Sequence, residues 1–138
     1  MHRKCILSLF LLIVGTLIYV CCRQEVLFLI PFDSNVLSKI RIEIDYSNLN
    51  CLTYWLIFCL PDGLWYMALL YLQDYLYNDG LVCKMVFCIS VMLPFIIEIL
   101  QKYGIMSGTF DYCDILTYLL TYIFFWICQK KRFYQYWC

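Results

Sequence analysis

No charged residue interrupts positions 5–22, which lie between Arg3-Lys4 on one side and Arg23 on the other. A helix advances about 1.5 Å per residue, so this run is long enough to cross the hydrocarbon core of a bilayer. A cleaved leader also has a basic start and an apolar middle. Cleavage needs small residues at the exit, however, and Ile18-Tyr19-Val20-Cys21 offers bulky ones. The segment is therefore predicted to be a retained anchor.

The chain as a whole is also strongly apolar. Hydrophobic residues make up 64% of the 138 positions and charged residues 14%, against roughly 45–50% and about 25% in soluble domains. A small soluble fold exposes much of its surface, and here that surface would be greasy. Lipid removes the conflict. Three further spans are predicted, near residues 61–77, 81–101 and 111–129. Pro61 suits the first turn of the second, Asn78-Asp79-Gly80 marks a turn, and Pro94 is expected to kink the third. Residues 104–109 read as a short loop. Aromatic residues crowd the segment ends, as at membrane interfaces. The expected fold class is all-α: one transmembrane domain over residues 1–138, a bundle of four transmembrane helices. Residues 23–60 form an extracytoplasmic or interfacial segment between helices 1 and 2. Within it, Ile40, Ile42 and Ile44 alternate like a strand, while Val36, Leu37 and Ile40 fit a short interfacial helix. The helix is preferred, because a lone strand leaves its backbone unpaired.

Several functions are excluded by composition. Ten basic and ten acidic residues balance, and the one basic run, Lys130-Lys131-Arg132, follows an apolar segment. It reads as a membrane-flanking anchor, so no nucleic-acid partner is expected. The ten cysteines show neither C-x-x-C nor Cys/His metal spacing. Cys5, Cys59, Cys88 and Cys128 lie inside apolar runs, so most thiols are expected to be free packing residues. No cofactor is expected, and the sequence leaves a metal undecided.

Four spans put both termini on one side. With that side cytoplasmic, Arg3, Lys4, Lys84, Lys130, Lys131 and Arg132 are inside, and Arg23, Lys39, Arg41 and Lys102 are outside. The positive-inside rule favours this orientation. Outside lie Asp62 at the start of the second span, Glu98 and Gln101 at the end of the third, and Asp111 and Asp114 at the start of the fourth. Glu98/Gln101 and Asp111/Asp114 each have i, i+3 spacing, which on a helix is one face. Thr117, Tyr118, Thr121 and Tyr122 continue the fourth face inward. Cys113 is expected to point off it. A polar pocket opening outward between spans two, three and four is the candidate ligand-binding site.

Each member also has a simpler explanation. Asp62, Asp111 and Asp114 suit helix N-termini, and Gln101 suits an interface. Glu98 stands near a helix C-terminus, where the dipole disfavours a carboxylate, and Lys102 is its nearest conventional partner. Ionisable residues within spans mark function by default. Carboxylates bind hard cations and do acid/base work. But His2 is on the opposite side, and no serine or cysteine has an evident base beside it. No catalytic residue is assigned.

Leu60-Pro61-Asp62-Gly63-Leu64-Trp65 resembles the LPDxLW entry to a span. Glu98-Ile99-Leu100-Gln101, with Gly108-Thr109-Phe110-Asp111 and Asp114, is similar to the E-x-x-Q … G-T-F-D-x-x-D pattern of VanZ-like membrane proteins. The resemblance covers roughly residues 60–125. Glycines that the pattern carries in the last span are missing here, where Thr117 and Tyr118 follow Asp114, so the resemblance does not carry over to close helix packing there. The resemblance implies a multi-pass protein of the bacterial cytoplasmic membrane with Asp62, Glu98, Gln101, Asp111 and Asp114 as motif positions. It also implies a link to glycopeptide (teicoplanin) tolerance. The expected function is non-enzymatic binding of a lipid headgroup, a lipid-linked cell-wall precursor or a cation, with membrane lipids as partners. An enzyme acting on a lipid-linked substrate and a structural subunit of a membrane complex are the alternatives.

Overall fold

A computed structural model describes residues 2–22, 42, 44 and 49–137, and all the regular structure among them is helical. The uncharged N-terminal run folds as helix α1, His2–Cys22. Helix α2 covers Cys51–Phe58, α3 Leu60–Asn78, α4 Lys84–Lys102 and α5 Tyr112–Trp137. Of the expected features of residues 23–60, the interfacial helix at Val36–Ile40 lies outside the described residues. Ile42 is described by a backbone hydrogen bond, donated to the Cys21 carbonyl at 2.9 Å.

Large apolar side chains point outward along the whole bundle: Ile6 is 65% exposed, Met85 70% and Leu116 56%. In water such a surface would associate; in lipid it is the solvated face. Helices α1, α4 and α5 are each long and apolar enough to cross a membrane. The expected second span, residues 61–77, falls within α3, Leu60–Asn78. Helix α3 carries Asp62, Gln73 and Asp74, and passes as a span only together with α2, the two meeting at a 44° bend. Pro61 stands in the first turn of α3 as expected. Its missing N–H allows the break at Cys59 to fall where a hydrogen bond would be lost anyway. Two other boundaries shift: α4 begins at Lys84, after an extended Cys83, and α5 continues to Trp137.

Helix α3 packs against all the others, most extensively against α1. The α1–α3 pair is antiparallel: Lys4 pairs with Asp74, the buried Ser8 hydroxyl donates to the Ala68 carbonyl at 2.7 Å, and Gly15 meets Pro61 and Trp65. A Cβ on Gly15 would come within 2.8 Å of the Trp65 ring and 3.1 Å of the Pro61 carbonyl oxygen. Close approach through small residues is how helices associate in lipid, where dispersion replaces the hydrophobic effect. Tyr19 adds a ring contact to Trp65, 5.1 Å between centroids.

On the opposite flank, α3 runs parallel to α5 and antiparallel to α4. Tyr66, Leu70, Val91 and Phe125 form the buried core. Tyr66, Phe95 and Tyr118 meet edge to face in a triangle with centroid separations of 6.0, 5.5 and 5.9 Å, the arrangement ring quadrupoles favour. Pro94 cannot donate within α4, and one turn earlier the Val91 carbonyl accepts from the Tyr66 hydroxyl at 3.0 Å. The α3–α5 contact is close although the last span has no glycine. The space comes from the facing helix, since a Cβ on Gly63 would lie 2.7 Å from Thr117 Cγ2.

Helix directions therefore alternate as α1, α2–α3, α4, α5. The start of α1 and the end of α5 lie at one end of the bundle, where Lys4 binds Asp74. Asp111 and the loop between α4 and α5 lie at the other.

Candidate functional site

The loop from Tyr103 to Asp111 turns the chain from α4 into α5. Asp111 precedes the first residue of α5, and its Oδ1 accepts the Cys113 N–H at 2.8 Å. It is a capping residue, as one reading of the sequence had it, satisfying an amide the helix leaves unpaired. Its other oxygen accepts from the Tyr54 hydroxyl at 3.2 Å, which ties α2 to the start of α5.

Glu98 is buried, 4% exposed, and its Oε2 accepts the Asp111 N–H at 3.4 Å. The expected conventional partner is engaged elsewhere: Lys102 Nζ stands 5.0 Å from the Phe110 ring centroid and 5.5 Å from that of Tyr112. Gln101, one turn beyond Glu98, lies against Gly108. A Cβ there would fall 2.8 Å from Gln101 Cδ, and Gly108 has φ +136°. Only glycine meets both demands without strain. Both residues of Glu98-x-x-Gln101 thus touch the Gly108–Asp111 stretch.

Asp114 is half-buried in the first turn of α5, with its carboxylate facing the Cys59 thiol closely enough to interact with it electrostatically. Asp62 is half-buried in the first turn of α3, one turn past Cys59 at the same end of the bundle. All five residues picked from sequence therefore stand at one end, with Glu98, Gln101, Asp111 and Asp114 around the α4–α5 turn.

The cysteines differ from expectation. The nine described are free, but Cys5, Cys88 and Cys128 lie on the apolar exterior, and of these nine Cys59 is the buried one. Cys113, expected off the acidic face, joins the cluster because Asp111 is outside the helix, so helical spacing does not apply between them. The Sγ atoms of Cys59 and Cys113 and a carboxylate oxygen of Asp111 all lie within 4.8 Å of one another. Cys113 is in hydrogen-bond contact with both Asp111 and Cys59. Tyr54, Trp55, Cys59 and Cys113 were not in the sequence-derived site. The available hint was Cys113, flanked by two acids.

A second feature, a groove of about 440 Å³, lies between α1, α2, α3 and α5. It is lined almost wholly by apolar side chains, among them Leu7, Leu11, Leu64, Met67 and Phe124. None of the five candidate residues lines it. Thr117 stands at the boundary: it lines the groove and accepts from Trp55 Nε1 at 2.9 Å, one turn past Asp114.

Among the described residues the regular structure is all helical, and several helices are apolar and long enough to cross a membrane. No protein-family model, curated protein or solved structure matches this chain.

Proposed function

We propose that the chain is a non-enzymatic, VanZ-like integral membrane protein of the bacterial cell envelope. Its function is to bind a positively charged ligand at the α4–α5 end: a cation, or the amine of a lipid headgroup or lipid-linked cell-wall precursor. The observation that carries this reading is the contact between the two halves of the motif, Glu98 with Asp111 and Gln101 with Gly108. It gathers three carboxylates while Lys102 turns to the aromatic rings. Clustered acids in a partly dry site repel one another, and a cation relieves that repulsion. An anionic phosphate alone does not. Under the positive-inside orientation this end faces outward, where envelope precursors are exposed, and both termini are cytoplasmic in the inner membrane.

The test is Glu98→Gln beside Lys102→Gln, each purified in native lipid particles. Lipidomics and cation content are measured with membrane abundance and glycopeptide tolerance. Glu98→Gln keeps abundance and loses the co-purifying ligand and the phenotype, while Lys102→Gln is mild. A Glu98→Gln protein with unchanged abundance, ligand content and tolerance sinks the reading.

A further inference from the structure

We infer that Cys59, Cys113 and Asp111 form a three-donor binding site for a thiophilic divalent cation of the zinc class. The inference rests on the cation-binding reading above and adds the kind of ion. Carboxylates alone favour hard ions such as calcium and magnesium, whereas a pair of thiolates selects zinc and its softer neighbours. The three donor atoms come from two distant parts of the chain, the α2–α3 bend and the start of α5, and lie within 4.8 Å of one another. Two sulfurs on a tetrahedral zinc, each about 2.3 Å from it, are about 3.8 Å apart. The sulfurs therefore lie within about 1 Å of that separation or closer.

The surroundings match what a metal ligand needs. Cys59 is fully buried at the bend, which shields a bound ion from water on that side. Asp111 is oriented by the Tyr54 hydroxyl and the Cys113 N–H, and its own N–H faces Glu98. Outer partners of this kind fix ligand direction and tune affinity. Binding exchanges one dication for the two thiol protons, which leave to solvent. The formal charge of the site is unchanged, and no oxidant is needed.

The site also has a mechanical role. It joins the break between α2 and α3 to the first turn of α5, so an ion there holds the 44° bend against the neighbouring helix.

The experiment uses the full chain in detergent micelles, reduced and stripped with chelator, then titrated with cobalt(II). Expected are one equivalent bound, thiolate-to-cobalt charge-transfer absorption, the intense visible bands of tetrahedral cobalt, displacement by zinc and release of two protons. Cys113→Ser weakens binding at least tenfold. This thiol is exposed, so its loss leaves the core intact even where Cys59→Ser impairs folding. Cys88→Ser, on the outer face of α4, binds as the parent does. Absence of thiolate bands, or their persistence in Cys113→Ser, overturns the assignment. If calcium, magnesium or an amine lipid still binds in a Glu98-dependent way while cobalt shows no thiolate bands, the thiol site falls and the cation reading stands. If none binds, both fall.

Discussion

Gly63→Ala is the sharpest test of the packing, because two physical effects of opposite sign meet there. Gly63 lies in the first turns of α3, and replacing glycine by alanine within a helix stabilises by roughly 0.5–1 kcal/mol when space is available. Here the added Cβ comes to 2.7 Å from Thr117 Cγ2 and 3.2 Å from Thr121 Oγ1. Thr117 cannot rotate away freely. Its hydroxyl accepts from Trp55 Nε1 at 2.9 Å, and it is 2% exposed. Overpacking of this kind costs about 1–3 kcal/mol, so the net effect is a loss of about 0.5–2 kcal/mol. At about 2–8 °C per kcal/mol for domains on either side of this size, the midpoint falls by several degrees. Thr117→Ser removes the offending methyl and keeps the oxygen that Trp55 needs. The double variant Gly63→Ala/Thr117→Ser is therefore expected to recover most of the loss, a coupling read from a double-mutant cycle. Thermal unfolding in a single detergent, followed by tryptophan fluorescence, supplies the four midpoints. A Gly63→Ala protein as stable as the parent, or equal losses with and without Thr117→Ser, refutes the α3–α5 contact.

Three further outcomes are expected. Asp74→Asn strands the mostly buried Lys4 ammonium and lowers stability by upwards of about 1 kcal/mol, whereas the exchange Lys4→Asp/Asp74→Lys restores much of it; failure of the exchange in the same unfolding assay removes the α1–α3 register. Tyr66→Phe frees the Val91 carbonyl beside Pro94 and lowers the midpoint by an amount equivalent to about 0.5–1.5 kcal/mol; an unchanged midpoint means the hydroxyl contributes nothing there. Reporters at the two termini give the same answer, both active when the reporter works only in the cytoplasm and both silent when it works only outside; opposite answers exclude the alternating path of the helices.

The sequence carried the helical elements well, where length and hydropathy decide. Residues 5–22 need nothing beyond their own composition to be a membrane helix, and Pro61 marked the start of α3 correctly. The short helix before it was not legible as a helix, because Cys51–Phe58 meets α3 at a 44° bend rather than continuing it. Cys51–Phe58 alone is too short and Leu60–Asn78 alone too polar to pass as a span, and the bend between them falls at the buried Cys59. The site was legible in part for a similar reason. The i, i+3 rule brought Glu98 and Gln101 to one side, and both do meet the Gly108–Asp111 stretch. It failed between Asp111 and Asp114, because Asp111 caps the helix from outside. Cys59 and Tyr54 reach the site from a bend and a short helix whose path no local periodicity encodes.

The pairing of Lys4 with Asp74 has a consequence for how the protein is made. Translation delivers α1 before α3, so Lys4 spends the intervening interval at the membrane surface, where its long stem keeps the ammonium in water. When α3 emerges, Asp74 captures that ammonium, and Gly15 can seat against Pro61 and Trp65 only in the matching register. The first hairpin is thus a self-checking unit in biogenesis. A mispaired α1 leaves a charge unmet at one end and Trp65 without its glycine notch at the other.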